Sequence, residues 1–284
     1  MAWEDFYLTF LGQKMETHRK PAVAGMFYTG DPQVLKQEVA GFIDESTKVS
    51  DQQVKFIIVP HAGYIYSGRI AGKSFAEIEP ANYEKVILLG PSHRYSFRGA
   101  AESEEQYWSF PIGEAKIAAV NHPQVIKDSR YHQMEHCLEV QMPFLLHLLP
   151  DAKYSPILLS GSYQSAAKLA DLLIELDDDK TLWVISSDFN HVGPNFNHFP
   201  QKYGYGSGEA MDMQAIDHIV AGDISGLIGF MEQTDATICG ALPILTAMNM
   251  IQSMNRPEFT FKSYDCSGNQ TRDKNSVGYA ALFS

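Results

Sequence analysis

A chain of 284 residues with 45% hydrophobic and 20% charged side chains has the composition of a folded globular protein and not of a disordered one. Its net charge of -12, without a basic run, argues against a nucleic-acid partner, because a phosphate backbone would be repelled. No apolar stretch approaches the ~20 residues that span a bilayer and no signal-peptide pattern opens the chain, so a soluble cytoplasmic protein with no membrane partner is expected.

Residues 1–14, with Trp3, Phe6, Tyr7 and Phe10, precede the first readable pattern and are taken as an N-terminal extension of one domain spanning 15–284. Helical spacing begins at Pro32, with Asp31 as the N-cap, and runs to Glu45. The β-prone run 56–59 leads to Pro60-His61-Ala62-Gly63-Tyr64, a helix follows near Ser67–Ile78, and the run 86–89 leads to Gly90-Pro91-Ser92-His93. Glu102-Ser103-Glu104-Glu105 reads as a solvated loop. A strand over 155–159, a helix over 166–176 and a strand at 183–187 come next, the last running into Asp188-Phe189-Asn190-His191. Helices are predicted over 209–220, 224–231 and 242–254, with closing strands at 259–264 and 277–283. Strands alternating with helices imply an α/β fold, a single domain with a central, mostly parallel sheet and helices on both faces.

Short apolar runs bounded by Gly and Pro are the signature of fully buried parallel strands, and ligands of open α/β sheets bind beyond the carboxyl ends of such strands. His61, His93 and the pair Asp188 and His191 all fall just past such ends, so they are expected to meet along one sheet edge. Two strand-end histidines can share an ion without any local spacing rule. Asp188 beside His191 suits a general base with its orienting carboxylate, although a turn cap with a backbone-bonded histidine is the simpler use of the same residues.

The three cysteines, Cys137, Cys239 and Cys266, are too few and too irregular for a disulfide framework. Cys239-Gly240 precedes a helix with Pro243 in its first turn, where thiolate is favoured; burial as a small apolar side chain is the alternative. His136, in Glu135-His136-Cys137-Leu138-Glu139, is a candidate supporting imidazole or a surface contact. A Cys239–His191–Asp188 hydrolytic triad is permitted by residue type, but no nucleophile-elbow or cysteine-peptidase signature accompanies it and His61 and His93 would stand idle. Residue chemistry favours a His-His-Cys metal site.

In this order, Pro60-His61-Ala62-Gly63-Tyr64, Gly90-Pro91-Ser92-His93, Glu135-His136 with Glu139, Ser186-Ser187-Asp188-Phe189 with His191, and Cys239-Gly240 resemble the motifs of the Memo family, named for mediator of cell motility. The likeness extends from Pro21-Ala22-Val23-Ala24-Gly25-Met26-Phe27-Tyr28 to Tyr279-Ala280-Ala281. It implies a fold similar to the class III non-haem iron, ring-cleaving dioxygenases. It also implies that His61, His93 and Cys239 surround a pocket that takes Fe(II) or copper, with zinc a further option, that Asp188 and His191 line it, and that His136 lies near. The dioxygenases use two histidines and a carboxylate, and a thiolate in place of the carboxylate shifts preference toward softer ions, so ring cleavage does not carry over with the fold.

Two functions are therefore expected. One is an iron- or copper-dependent redox enzyme or oxygenase acting on a small-molecule substrate, with His191, Asp188 and His136 as catalytic groups. The other is a non-catalytic module that handles metal or binds a peptide in the same cleft, as the resemblance implies for phosphotyrosine segments. Arg69 and Arg94 are the cations nearest the site motifs for such a role.

Overall fold

The computed structural model describes residues 17–271 and 273–284; the expected extension at 1–14 lies outside them. The first strand, β1 (His18–Arg19), pairs in parallel with β5 (Tyr107–Phe110), which turns back into β6 (Gly113–Lys116) to make a small three-stranded sheet.

Among the described residues the main sheet has nine strands. Its centre is β2 (Phe56–Val59), β9 (Thr181–Ser186), β3 (Lys85–Pro91) and β8 (Lys153–Ser160), adjacent in that order and all parallel. Antiparallel pairing closes both sides: β4 (Gly99–Glu102) runs against β8 and carries β7 (Val125–Lys127) beyond it. At the other margin β12 (Ser276–Phe283) runs against β2, β10 (His191–Val192) and β11 (Thr260–Cys266). The sheet is thus parallel through its centre and antiparallel at its margins, where among these pairs only β11 and β12 are joined by a short connection.

All four residues of β2 and all six of β9 are buried, as strands covered on both faces must be. Alternation divides them between two cores. Phe56, Ile58, Trp183 and Ile185 pack with the helices Ala166–Ile174, Gly208–Val220, Ile224–Thr234 and Ala241–Ser253. Ile57, Val59, Leu182 and Val184 pack with Pro32–Asp44, Tyr64–Phe75 and Met142–Leu148 on the opposite face. The first of these three helices starts as the sequence predicts, with Asp31 Oδ1 accepting from the amides of Gln33 (2.8 Å) and Val34 (2.9 Å).

The expectation of a solvated loop at 102–105 holds for Glu104, which is exposed, and fails for its first two residues. Glu102 and Ser103 are buried, the Glu102 carboxylate accepts from the amides of Val120 and Asn121, and Ser103 Oγ accepts from Trp108 Nε1. Backbone donors and an indole N–H, invisible to a charge-based reading, satisfy this polar turn in place of water. Among the described residues no helix is long and apolar enough to cross a membrane.

Candidate metal centre

Strand register explains how residues far apart in sequence meet. Val59 pairs with Ser186 and Ile185 with Leu89, so β2, β9 and β3 end at nearly one level. His61, Asp188 and His93 each lie two residues beyond the last residue of one of these strands. The helix Ala241–Ser253 starts beside β9, with the amide of Gly240 donating to Ser187 Oγ at 3.0 Å, and this seats Cys239 against the same edge.

The structure brings His61, His93 and Cys239 together, with ligand-capable atoms within 4.8 Å of one another, and Asp188, His191 and Cys239 form an overlapping group of the same reach. His61 Nε2 lies 3.1 Å from Cys239 Sγ. His136 joins the cluster: its ring stacks 4.8 Å from that of His93 and lies 5.5 Å, edge-on, from that of His61.

The hydrogen bonds behind the imidazoles fix which nitrogen faces the cluster. Ser186 Oγ must donate to the carbonyl of Cys137 (2.7 Å), which can only accept, and it receives Gln141 Nε2–H (3.0 Å). Its contact with His61 Nδ1 (2.9 Å) is therefore an N–H donated by the ring, which leaves the His61 Nε2 lone pair pointing at Cys239. Glu135 does the same for His93: its carboxylate takes the His93 amide at 2.7 Å and Nδ1–H at 2.9 Å, and His136 Nδ1 lies 3.3 Å from it. Burial alone would raise the Glu135 pKa, but hydrogen bonds from His136 and His93 outweigh it and hold the group well below the usual carboxylate range. It is an ionised acceptor, so Nδ1 of His93 carries a proton and Nε2 is the ring nitrogen left for the cluster.

Burial, reinforced by His93 and His136, keeps His61 neutral, its pKa well below the ordinary histidine value. Burial and then His93 lower the pKa of His191 to about 4. His191 Nε2 is buried without a hydrogen-bond partner among the described residues, which is uncommon for such an atom. Asp188 departs from the expected role of orienting it. Asp188 Oδ1 accepts the His61 amide at 2.7 Å, which ties the β9 end to the β2 end, while the backbone of His191 is gripped by Thr237. Burial raises the Asp188 pKa to about 7 in spite of hydrogen bonds from the His61 and Ala62 amides.

Cys239 sits at the start of its helix as predicted, but the helix terminus does not make it a thiolate here. Burial, then the Asp188 charge, push its pKa above the usual thiol value, so in the free protein S–H donates to His61 Nε2. Neither of the other thiols is among the ligand-capable groups. Cys137 is fully buried with Sγ–H on the carbonyl of Pro91 (3.2 Å), and Cys266 ends β11.

The donor set fits a borderline or soft ion. Two imidazole lone pairs and a sulfur converge at spacings that bonds of about 2.0–2.3 Å can bridge, and each histidine has the buried hydrogen-bond partner that metal-bound imidazoles take. Beside it opens a cleft of about 420 Å³, with Phe27, Tyr66, Phe196 and Tyr279 on one part of its wall and Ser267, Asp273 and Asn275 on another. Ser186, Glu135, Gln141 and Thr237 escaped the sequence reading as supporting residues. The only signal was that Ser186 and Glu135 stand inside the quoted motifs.

Fold and site together define an α/β protein with a His-His-Cys donor cluster at the carboxyl edge of a parallel sheet. The chain belongs to the Memo family, whose Memo-like protein model matches residues 19–283. A MEMO1 family protein of Saccharolobus islandicus (strain Y.G.57.14 / Yellowstone #1) is 32% identical over 288 residues, covering 93% of this chain and 98% of its own. One from Thermoplasma acidophilum is 32% identical over 275 residues, covering 94% and 98%. Among solved structures, an uncharacterized protein from Escherichia coli K12 aligns with 81% of this chain and 99% of its own at 11% identity and a TM-score of 0.45, a likeness too slight to carry an argument.

Proposed function

We propose that this protein holds one iron or copper ion between His61 Nε2, His93 Nε2 and Cys239 Sγ and works as a redox protein on a small molecule bound in the adjoining cleft. The observation that carries the reading is that Ser186 and Glu135 each take an Nδ1–H, with His61 Nε2 3.1 Å from the Cys239 thiol and a His93 nitrogen within 4.8 Å of both. When bound, such an ion would supply one-electron chemistry, and thiolate ligation suits copper(I) or tunes iron.

The chain's own groups have separable tasks. Glu135 and Ser186 orient the ligands, and Asp188 locks the His61 loop through its amide. His191, neutral at pH 7 with an unpartnered Nε2, is suited to take a proton from a substrate in the cleft, and His136 lines the same cleft. Phenylalanine and tyrosine walls favour a substrate with an apolar or aromatic face. A phosphopeptide is the weaker choice, because Arg69, one of the two cations expected near the site, is ion-paired with Glu45 on the surface.

The test is anaerobic loading with Fe(II) or Cu(I), followed by O2 uptake with a panel of small phenols. Turnover that depends on both metal and substrate supports the reading. Tight metal binding without turnover leaves a metal-handling protein.

A further inference from the structure

We propose that Asp212, Asn190 and Thr237 form a positioning network that holds His191 and Cys239 in register with each other; the inference rests on the metal-centre reading above. None of the three touches the donor atoms, and the first lies on a different element, the helix Gly208–Val220.

The network starts from a buried carboxylate. Asp212 is 1% exposed and has no cation partner among the described residues. A carboxylate so placed is costly unless donors satisfy it, and here three do. Its Oδ1 accepts the Asn190 amide (2.9 Å) and Asn190 Nδ2–H (2.7 Å), and its Oδ2 accepts Tyr264 O–H (2.6 Å). Gly278 makes room for it, since a Cβ there would overlap the carboxylate.

Asn190, turned by Asp212, passes the constraint on. Its Oδ1 accepts the Thr237 amide at 2.8 Å. Thr237 Oγ1 then clasps the backbone of His191 from both sides, accepting its N–H at 2.7 Å and donating to its carbonyl at 3.1 Å. Thr237 precedes Cys239 by two residues, and the next amide, that of Gly240, bonds back to Ser187 Oγ. The loop carrying the sulfur and the loop carrying Asp188 and His191 are thereby stitched together at Asn190–Thr237 and Gly240–Ser187. Without the first stitch, the spacing of Cys239 from His191 and Asp188 rests on the second and on the long contact of Cys239 Sγ with the Asp188 carbonyl (3.5 Å).

The experiment is a Co(II) titration of the whole protein under reducing conditions, read by the thiolate-to-cobalt absorption band, beside thermal unfolding without metal. Thr237→Val keeps the shape and removes only the hydroxyl. It is expected to weaken Co(II) binding about 10–100-fold, the range for lost supporting hydrogen bonds around metal ligands. Asp212→Ala should weaken it comparably and Asp212→Asn should restore it, because the amide oxygen can still accept from Asn190. Tyr154→Phe, which removes a buried hydroxyl remote from the site, should lower the unfolding temperature without changing affinity. If wild type binds Co(II) and Thr237→Val binds it equally well, the network is wrong and the metal centre stands. If wild type gives no thiolate band, the metal centre is wrong and the network falls with it. Should Asp212→Ala fail to fold, Thr237→Val decides alone.

Discussion

Ser186→Ala isolates the feature on which the metal centre depends. The hydroxyl is fully buried and makes three hydrogen bonds: it receives Nδ1–H of His61 and Nε2–H of Gln141 and donates to the carbonyl of Cys137. In the variant Gln141 keeps its bond to the Pro60 carbonyl, but the His61 N–H and the Cys137 carbonyl lose their partners. Each orphaned buried group costs about 1–3 kcal/mol. Allowing for local relaxation, the metal-free protein should lose about 3 kcal/mol, or roughly 5 °C in Tm for a domain of this size. A separate effect falls on the site, because His61 is no longer held in the tautomer whose Nε2 lone pair faces Cys239. Metal affinity should fall about 10–100-fold. Differential scanning calorimetry of the metal-free protein and a competitive metal titration read the two effects independently. A variant that loses stability yet binds metal within about twofold of wild type would refute the tautomer reasoning, because the hydroxyl would then be structural only.

Three further outcomes are expected. Cys239→Ser should abolish or strongly reduce metal content while Cys137→Ser and Cys266→Ser retain it, as elemental analysis after desalting will show; equal content in all three removes the thiol from the centre. Binding should release at least one proton, because the Cys239 pKa lies above the ordinary thiol value and the free protein holds S–H at pH 7; affinity should therefore rise about tenfold per pH unit from 6 to 8, and a pH-independent constant would contradict this. His191→Ala should keep the metal and lower any turnover by about 10²-fold or more, whereas Asp188→Ala, which removes the bond to the His61 amide, should affect metal retention as well; matched rates at matched loading would end the assignment of His191 as a base.

Much of this architecture was legible because buried parallel strands advertise themselves. The runs 56–59, 86–89 and 183–185 lack polar residues, as a strand covered on both faces must, and the carboxyl-end rule then places His61, His93 and Asp188 on one edge. Cys239 was legible as a helix-start residue, but its protonation was not, since burial opposes the helix terminus and nothing in Cys239-Gly240 itself reports how deeply the sulfur sits. The antiparallel margins were harder. β4, β5, β6 and β7 are only three or four residues long, and the acidic stretch from Glu102 suggested solvent where backbone amides wait. Supporting residues such as Thr237 and Asp212 carry no local signal, because their partners are fixed only when distant loops meet.

The most direct test of the account is X-ray absorption on the iron- or copper-loaded wild-type protein prepared without oxygen, with Cys239→Ser as its pair. The account expects about one ion per chain, with one sulfur near 2.3 Å and two imidazole nitrogens near 2.0 Å, and loss of the sulfur scatterer in the variant. A wild-type centre with nitrogen and oxygen ligands only, unchanged in Cys239→Ser, would contradict it.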